Sequence, residues 1–196
     1  MRSPVYWHPY LYHLAMRFLY GRFFEERYSA IADLIPLDSD VCEVCMGDAY
    51  LYWNYLAKKS VTYCGLDINE IFVSHAIEKG VNADIHNLVR DPVPVADYII
   101  MQAGLYQFIP CHKEILGKLI SSAGKRVIVS EPIVNLSDSR NWFIAMIARL
   151  SANPGTGHPT QRFSRESLLG VFNEFSEFSE THEIRGGREL IGVFEK

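Results

Sequence analysis

Short apolar runs alternate with helix-length segments from residue 41 to residue 130, and this rhythm constrains the fold more than any other feature. The runs are predicted strands, at Val41–Cys45, Val61–Leu66, Val81–Ala83, Ala96–Met101 and Arg126–Ser130. Helices are predicted between them, over Tyr50–Lys59, Glu70–Lys79 and His112–Ser121. Strands and helices that alternate at this spacing form βαβ units, in which a parallel sheet is covered on both faces.

The C-terminal third has a different pattern. Ser164 is a suitable N-cap for a helix over Arg165–Glu174. Two strand-like runs, Phe178–Ile184 and Arg188–Phe194, then flank Gly186-Gly187, which is typical of a hairpin. The sequence therefore predicts a Rossmann-like, doubly wound α/β fold, with a mostly parallel seven-stranded sheet that ends in an antiparallel hairpin.

The first 36 residues differ from the rest in being helical and rich in aromatic side chains. Pro9 suits a first helical turn, and Gly21 interrupts the helical pattern. Because 196 residues are a common size for one domain, we expect a single domain. In that domain, residues 1–36 form an N-terminal helical lid and residues 37–196 form the core.

Composition and charge exclude several classes of function. The net charge is −4 and the pI is about 6.0, without the basic patch of a nucleic-acid-binding protein. The longest strongly apolar helical run, Trp142–Leu150, is far shorter than the roughly 20 residues that span a bilayer. We expect a cytoplasmic protein that binds neither nucleic acid nor membrane, and the sequence leaves its oligomeric state open.

Cys42 and Cys45 form a C-x-x-C pair within a predicted strand. Residues three apart on a strand point to opposite faces of the sheet, which is poor geometry for one metal ion. The stronger interpretation is that these cysteines are small buried apolar residues. No metal site is predicted.

The turn after the first predicted strand is the candidate nucleotide site. Gly47 allows the backbone of this turn to approach a ligand closely. Asp67 follows twenty residues later, at the end of the second predicted strand, where an acid would accept hydrogen bonds from ribose hydroxyls. These two residues alone are equally compatible with a tight turn and a helix N-cap.

Four segments in order resemble class I S-adenosylmethionine-dependent methyltransferases. Glu43–Ala49 is similar to the family's acid-apolar-Gly-x-Gly-x-Gly motif, although Cys45 and Ala49 replace two of its glycines. Residues 65–69 are similar to the motif whose acid binds ribose, residues 83–85 to the motif near the adenine amino group, and residues 96–102 to the fourth-strand segment. The resemblance implies that S-adenosyl-L-methionine, or S-adenosyl-L-homocysteine as product, binds to Glu43, Cys45, Met46, Gly47, Ala49, Asp67, Ile68, Asp84, Ile85 and Gln102.

The methyl acceptor should lie beside the segments that follow the fourth and fifth strands, under the aromatic N-terminal segment. The candidate acceptor-binding residues are Tyr6, Tyr10, Tyr20, Tyr106 and Asn135. The candidate catalytic residues, which would handle a proton, are His158, Tyr106 and Glu131. Ordinary aromatic packing, and a histidine exposed in a loop, are the simpler interpretations of the tyrosines and of His158.

The preferred hypothesis is a methyltransferase that acts on a small-molecule acceptor. A non-catalytic S-adenosylmethionine-binding or regulatory module on the same fold is the alternative, because the glycine turn is degenerate. An NAD-dependent dehydrogenase ranks third, because only Gly47 of a G-x-G-x-x-G fingerprint is present. We expect Asp67→Ala to lower cofactor affinity strongly and to leave the fold intact.

Overall fold

The computed structural model describes residues 4–134 and 161–196, and these residues form a seven-stranded sheet. The strands are β1 (Asp40–Val44), β2 (Thr62–Asp67), β3 (Ala83–Ile85), β4 (Ala96–Gln102), β5 (Ala123–Pro132), β6 (Phe178–Glu183) and β7 (Glu189–Glu195). Their order in the sheet is β3-β2-β1-β4-β5-β7-β6. Strands β1 to β5 are parallel, whereas β7 is antiparallel to β5 and β6. The predicted fold class is confirmed.

Helices cover both faces of this sheet. The α-helices are α1 (Pro9–Tyr20), α2 (Glu26–Asp33), α3 (Tyr50–Asn54), α4 (Glu70–Glu78), α5 (His112–Ser122) and α6 (Arg165–Phe172). Short 3-10 helices occur at Pro4–Trp7, Gly21–Phe23, Leu56–Lys59 and Leu105–Phe108. Among the described residues, no helix is both long enough and apolar enough to cross a bilayer. The predicted helix at 142–150 lies outside these residues.

The sheet divides two apolar cores because successive side chains of a strand point to opposite faces. In β4, Tyr98 and Ile100 pack in the core beneath α1 to α4. Ile99 and Met101 pack in the core beneath α5 and α6. Strand β4 is therefore buried on both faces, as its nearly continuous apolar sequence predicts.

The N-terminal segment begins and breaks where its sequence indicates. The imidazole of His8 accepts a 3.1 Å hydrogen bond from the backbone N–H of Tyr10 and so caps the start of α1. Helix α1 ends before Gly21, which has a φ of +53°, a conformation that glycine adopts without strain. Helix α2 then packs against the sheet through Tyr28 and Ile31.

Three predicted boundaries are wrong. The single helix expected over 50–59 is divided, because Tyr55 has φ −127° and ψ −56°, outside the helical region. Strand β3 begins two residues later than predicted, because the Val81 N–H bonds to the Ala76 carbonyl and closes the end of α4. Strand β5 begins at Ala123, three residues earlier than expected, where Ala123 pairs with Ala96 of β4.

Strand β1 has β2 on one side and β4 on the other, and the connections from this point run in opposite directions along the sheet. In open α/β sheets a ligand binds at the carboxyl ends of the strands beside such a switch point. The fold therefore predicts a ligand site at the turn after β1 and at the neighbouring ends of β2 and β4.

Candidate cofactor and acceptor site

A cavity of about 530 Å³ lies at the carboxyl ends of these strands, within the usual range of roughly 300–1,000 Å³ for small-molecule pockets. Helix α1 covers it, and the loops after β2, β3, β4 and β5 form its walls. The residues that line it are Tyr6, Tyr12, Met16, Leu19, Tyr20, Cys45, Gly47, Leu66, Asp67, Ile68, Asn69, Phe72, His86–Arg90, Gln102, Ala103, Tyr106–Cys111, Pro132, Val134 and Arg162.

The turn after β1 has an unusual backbone. Cys45, Gly47 and Ala49 all have positive φ, at 56°, 60° and 56°. These are the three positions at which the methyltransferase motif has glycine, so the turn keeps the left-handed backbone of a glycine loop although two side chains are present. A non-glycine residue in this region costs on the order of 1–3 kcal/mol. The surrounding packing must supply that free energy.

Asp67 holds this turn in place. Its Oδ2 accepts a 2.9 Å hydrogen bond from the backbone N–H of Gly47, and its Oδ1 accepts a 2.8 Å bond from the N–H of Asn69. A carboxylate has about four acceptor positions, and these two backbone donors orient the side chain of Asp67. The predicted ribose-binding acid is therefore also a structural residue of the turn.

The N-terminal helices contact the cofactor half of the cavity directly. The Tyr12 ring lies against the turn, since a Cβ on Gly47 would be 3.4 Å from Tyr12 Cε1. Tyr6 packs between Tyr12 and Phe72, with ring centroids 5.6 and 6.0 Å away. The side-chain amide of Asn69 donates a 3.2 Å bond to the Tyr6 carbonyl. These contacts fix Tyr6 and Tyr12 over the end of β2.

His86 completes the wall beyond β3. Its backbone N–H donates a 2.9 Å hydrogen bond to the carbonyl of Asp67, which ties the β3 loop to the end of β2. Its Nε2 is buried and has no hydrogen-bond partner among the described residues. A buried polar atom that lacks a partner is costly, and this one lies in a residue of the cavity wall.

The opposite half of the cavity is formed after β4 and β5. The guanidinium of Arg162 stacks on the Tyr106 ring, with Cζ 3.6 Å from the ring centroid. Burial raises the pKa of Tyr106, and the charge of Arg162 opposes that rise. Tyr106 is therefore a neutral phenol at physiological pH.

Glu131 lies beneath this half of the cavity. Its Oε1 accepts a 2.6 Å hydrogen bond from the N–H of Leu105 and so holds the 3-10 helix that contains Tyr106. Burial raises the pKa of Glu131 to about 8, although the bond from Leu105 lowers it. Its Oε2 is buried without a hydrogen-bond partner in the structure. The carboxyl group thus positions the loop after β4 and is mostly protonated at neutral pH.

Glu43 is a second buried carboxyl group, at the other end of the cofactor turn. Tyr63 donates a 2.6 Å hydrogen bond to its Oε2. Burial raises the pKa of Glu43 to about 8, and the bond from Tyr63 opposes that rise. Glu43 therefore links β1 to β2 beneath the turn.

A buried ion pair fixes α2 beside this site. Arg27 Nε lies 2.9 Å from Glu189 Oε2, and both side chains are almost fully buried. Ser130 donates a 2.9 Å bond to the same carboxylate, and the Gln102 amide donates a 3.2 Å bond to the Arg27 carbonyl. Since Gln102 also lines the cavity, this network positions the end of β4.

The structure brings eight of the fifteen candidate residues in the described ranges to one cavity. Those on its wall are Cys45, Gly47, Asp67, Ile68, Gln102, Tyr6, Tyr20 and Tyr106. Those of the described ranges that lie off the wall are Glu43, Met46, Ala49, Asp84, Ile85, Tyr10 and Glu131. Asn135 and His158 lie outside the described residues.

For four of these residues, the structure explains why they lie off the cavity wall. Tyr10 is 65% exposed, because it lies on the outer face of α1. Met46 is buried under β2, where its sulfur occupies the space that a Cβ on Gly65 would need. Asp84 and Ile85 are exposed, and Asp84 Oδ1 accepts a bond from the N–H of Ile85. The next residue, His86, is the one that reaches the wall.

Tyr12 lies in the predicted N-terminal lid and Asn69 in the second motif, but neither was predicted to be a binding residue. His86 and Arg162 were not assigned to the site at all. Asn69 and His86 directly follow the ends of β2 and β3, which is a signal that could have found them. Tyr12 and Arg162 have no such signal, because their place depends on how α1 and the segment before α6 pack. Within the described ranges, no three His, Cys, Asp or Glu side chains lie close enough together to hold a metal ion.

Comparison with solved structures shows the fold. A magnesium protoporphyrin IX methyltransferase from Synechocystis PCC 6803 with bound SAH is 16% identical, with 93% of each chain covered and a TM-score of 0.66. An O-methyltransferase family 2 protein from Planctomyces limnophilus, in complex with apigenin, is 19% identical, with 92% of this chain and 61% of that chain covered and a TM-score of 0.61. A putative Zn-dependent alcohol dehydrogenase from Rhodobacter sphaeroides is 10% identical, with 94% and 97% covered and a TM-score of 0.64.

At these identities the likeness concerns the fold alone, and it confirms the class I methyltransferase fold that the motifs predict. A search of curated proteins found no match. The family described as "Methionine biosynthesis protein MetW" matches residues 25–189, which include the cofactor turn, Asp67 and six of the seven strands in full. This chain belongs to that family.

Proposed function

We propose that this protein is an S-adenosylmethionine-dependent methyltransferase that acts on a small-molecule acceptor. The observation that carries the proposal is the turn after β1, whose three left-handed residues are tied to Asp67 on the wall of a ligand-sized cavity. Cys45 and Ala49 replace two glycines of the family motif, but both keep the positive φ that a glycine loop has at these positions.

The described residues fit this cofactor in three places. Asp67 is placed to accept hydrogen bonds from the ribose hydroxyls, and the partly exposed Ile68 beside it offers an apolar face to adenine. His86, on the wall beyond β3, would lie beside the base. The turn at Cys45 and Gly47, together with Gln102, would surround the methionine part. Structures with bound SAH and SAM share this fold, which supports the assignment.

The cofactor would supply an activated methyl group, and the protein would align the acceptor with it. Positioning alone can supply roughly 7–11 kcal/mol in favourable cases. Tyr6 and Tyr12 cover the reaction site and exclude water, and Tyr106 presents a neutral phenol to it. Glu131 acts on this site through the loop that it holds. A proton-handling role for His158 and an acceptor contact for Asn135 remain predictions.

Calorimetry tests cofactor binding, and product formation tests catalysis. We expect S-adenosylhomocysteine to bind at one site and NAD not to bind. If the folded protein does not bind S-adenosylhomocysteine at millimolar concentration, the proposal is contradicted. Tight binding of NAD instead would favour a dehydrogenase.

The substitution of two motif glycines favours one second candidate, a non-catalytic S-adenosylmethionine-binding module. Cys45 Sγ would lie only 3.1 Å from a Cβ on Gly104, so the side chain fills space beside the cavity. This candidate predicts cofactor binding without turnover. Incubation with methyl-labelled cofactor and a panel of small acceptors separates the two, because any labelled product that depends on Asp67 excludes the module.

A further inference from the structure

Arg162 stands out among the residues that line the cavity. Its guanidinium Cζ lies 3.6 Å from the centroid of the Tyr106 ring, and the side chain is only partly exposed. No Asp or Glu of the described ranges forms an ion pair with it. A guanidinium that is ordered by stacking, but lacks a carboxylate partner, is prepared to bind an anion.

Among the described residues, the groups around Arg162 leave its charge uncompensated. Glu131 is the carboxyl group that interacts electrostatically with Arg162 on this side, and burial raises its pKa to about 8. It is therefore mostly neutral at pH 7. The neighbouring Tyr106 and Tyr20 are neutral phenols, because burial raises the pKa of both. Of the described residues, an anionic ligand beside Tyr106 would thus meet the positive charge of Arg162 together with these neutral groups.

Apolar side chains form much of the rest of this half of the cavity, beside the polar Gln102 and Gln107. Met16 and Leu19 of α1, Phe108 and Ile109 after β4, and Val134 after β5 all belong to the wall. Such walls favour a flat hydrocarbon or aromatic body, and the planar fork of arginine favours a carboxylate, which it can bind through two parallel hydrogen bonds. A ligand that meets both requirements is a flat, apolar molecule with a carboxylate group.

We propose that Arg162 is the anion-binding residue of the acceptor pocket, and that the acceptor is a flat, largely apolar small molecule with a carboxylate group. The inference rests on the proposed methyltransferase function, which places the cofactor in the other half of the cavity. The carboxylate of the cofactor's own amino-acid tail is the competing source of the same chemistry, and the experiment must separate the two.

The test uses calorimetry on the full chain with saturating S-adenosylhomocysteine. The probes are 4-hydroxybenzoate, 4-hydroxycinnamate and indole-3-acetate, each paired with its neutral amide. At least one carboxylate should bind at least tenfold more tightly than its amide. Arg162→Met should weaken that binding at least tenfold, and Arg162→Lys, which keeps the charge but loses the fork, should fall between Met and wild type.

Arg22→Met is the matched control, because Arg22 also stacks on an aromatic ring, at 4.7 Å from the Phe23 centroid, but lies off the cavity wall. It should leave binding of the carboxylate within twofold of wild type. The proposal is overturned if no carboxylate is preferred over its amide, or if Arg162→Met leaves the preference unchanged.

A second titration identifies the source of the carboxylate. S-adenosylhomocysteine has the amino-acid tail, whereas 5′-methylthioadenosine lacks it. We expect Arg162→Met to leave the affinity for both unchanged. If the variant weakens only S-adenosylhomocysteine, Arg162 binds the cofactor tail and the proposal is wrong. If neither nucleoside binds the wild type, the proposed methyltransferase function is wrong. In that case, titration of the carboxylates without a nucleoside still tests whether Arg162 binds an anion.

Discussion

The backbone N–H of Gly47 donates a 2.9 Å hydrogen bond to Oδ2 of Asp67, twenty residues later in the chain. The carbonyl of Asp67 in turn accepts the N–H of His86, at 2.9 Å. One residue therefore connects the carboxyl ends of β1, β2 and β3. The acid that would bind ribose therefore also holds the turn after β1 and the loop after β3 beside it.

Asp67→Ala should lower the affinity for S-adenosylhomocysteine more than tenfold. It should also lower the free energy of unfolding by about 1.5–3 kcal/mol, the usual contribution of a hydrogen bond to a charged group. This revises the expectation that the variant leaves the fold intact, because the structure shows two backbone N–H groups bound to this carboxylate. Calorimetry and urea unfolding measure the two effects.

Asp97→Ala is the control for that variant. Asp97 lies near the start of β4 and forms an exposed ion pair with Lys125, so neither affinity nor stability should change by more than about 0.5 kcal/mol. An affinity of Asp67→Ala within twofold of wild type would show that the ribose does not lie at Asp67.

Tyr12→Ala should weaken binding of S-adenosylhomocysteine, because it removes the ring that covers the Gly47 turn. Tyr10→Ala is a control on the same helix. Tyr10 is 65% exposed and lies off the cavity wall, so its removal should leave affinity unchanged. We expect a loss of at least fivefold for Tyr12→Ala in a direct titration. Equal effects of the two substitutions would contradict a covering role for α1.

Ala49→Gly should change the free energy of unfolding by less than about 0.5 kcal/mol. Glycine relieves the strain of a φ of +56°, on the order of 1 kcal/mol, and this offsets the loss of one buried methyl group, worth about 0.8 kcal/mol. Ala30→Gly, in the middle of α2, has no strain to relieve and should cost about 1 kcal/mol. Urea unfolding that finds equal losses would show that Ala49 is not strained.

Glu131→Gln should alter how stability depends on pH. The pKa of Glu131 is raised from 4.5 to about 8 in the fold, so the folded state binds the proton more tightly than the unfolded state. The stability from this group is fully present below pH 4.5 and is lost as the pH rises towards 8. Gln keeps an acceptor for the Leu105 N–H but does not titrate.

The free energy of unfolding of Glu131→Gln, relative to wild type, should therefore rise between pH 5 and pH 8. The expected gain is at least about 1.4 kcal/mol, the equivalent of one pKa unit. Denaturant unfolding of both proteins at several pH values measures the difference, which cancels the contribution of other titrating groups. A difference that is constant with pH would show that Glu131 is ionised throughout.

The sheet could be predicted from the sequence because its central strands are buried on both faces. A segment such as Ala96–Gln102 must be apolar throughout, and the order of such segments fixes the parallel topology. The positions of Gly47 and Asp67 followed from the same logic, because Gly47 lies in the turn after β1 and Asp67 is the last residue of β2. The boundaries of β3 and α3 did not, because local hydrogen bonds at Val81 and the backbone at Tyr55 determine them.

The acceptor half of the cavity could not be predicted in this way. Arg162 contacts Tyr106 across 56 residues of sequence, and no local pattern marks either residue as a partner of the other. Glu131 was a candidate proton carrier on the basis of residue type alone. Its bond to Leu105 makes it a positioning residue, and only the packed structure contains that contact.

A crystal structure of the protein with S-adenosylhomocysteine tests the proposed site most directly. We predict that the ribose hydroxyls lie within hydrogen-bond distance of the Asp67 carboxylate, with adenine between Ile68 and His86 and the amino-acid tail beside Cys45 and Gln102. The Arg162 guanidinium should face an open acceptor pocket. Ligand density outside this cavity, or a ribose that does not contact Asp67, would contradict the assignment of the cofactor to the β1 turn.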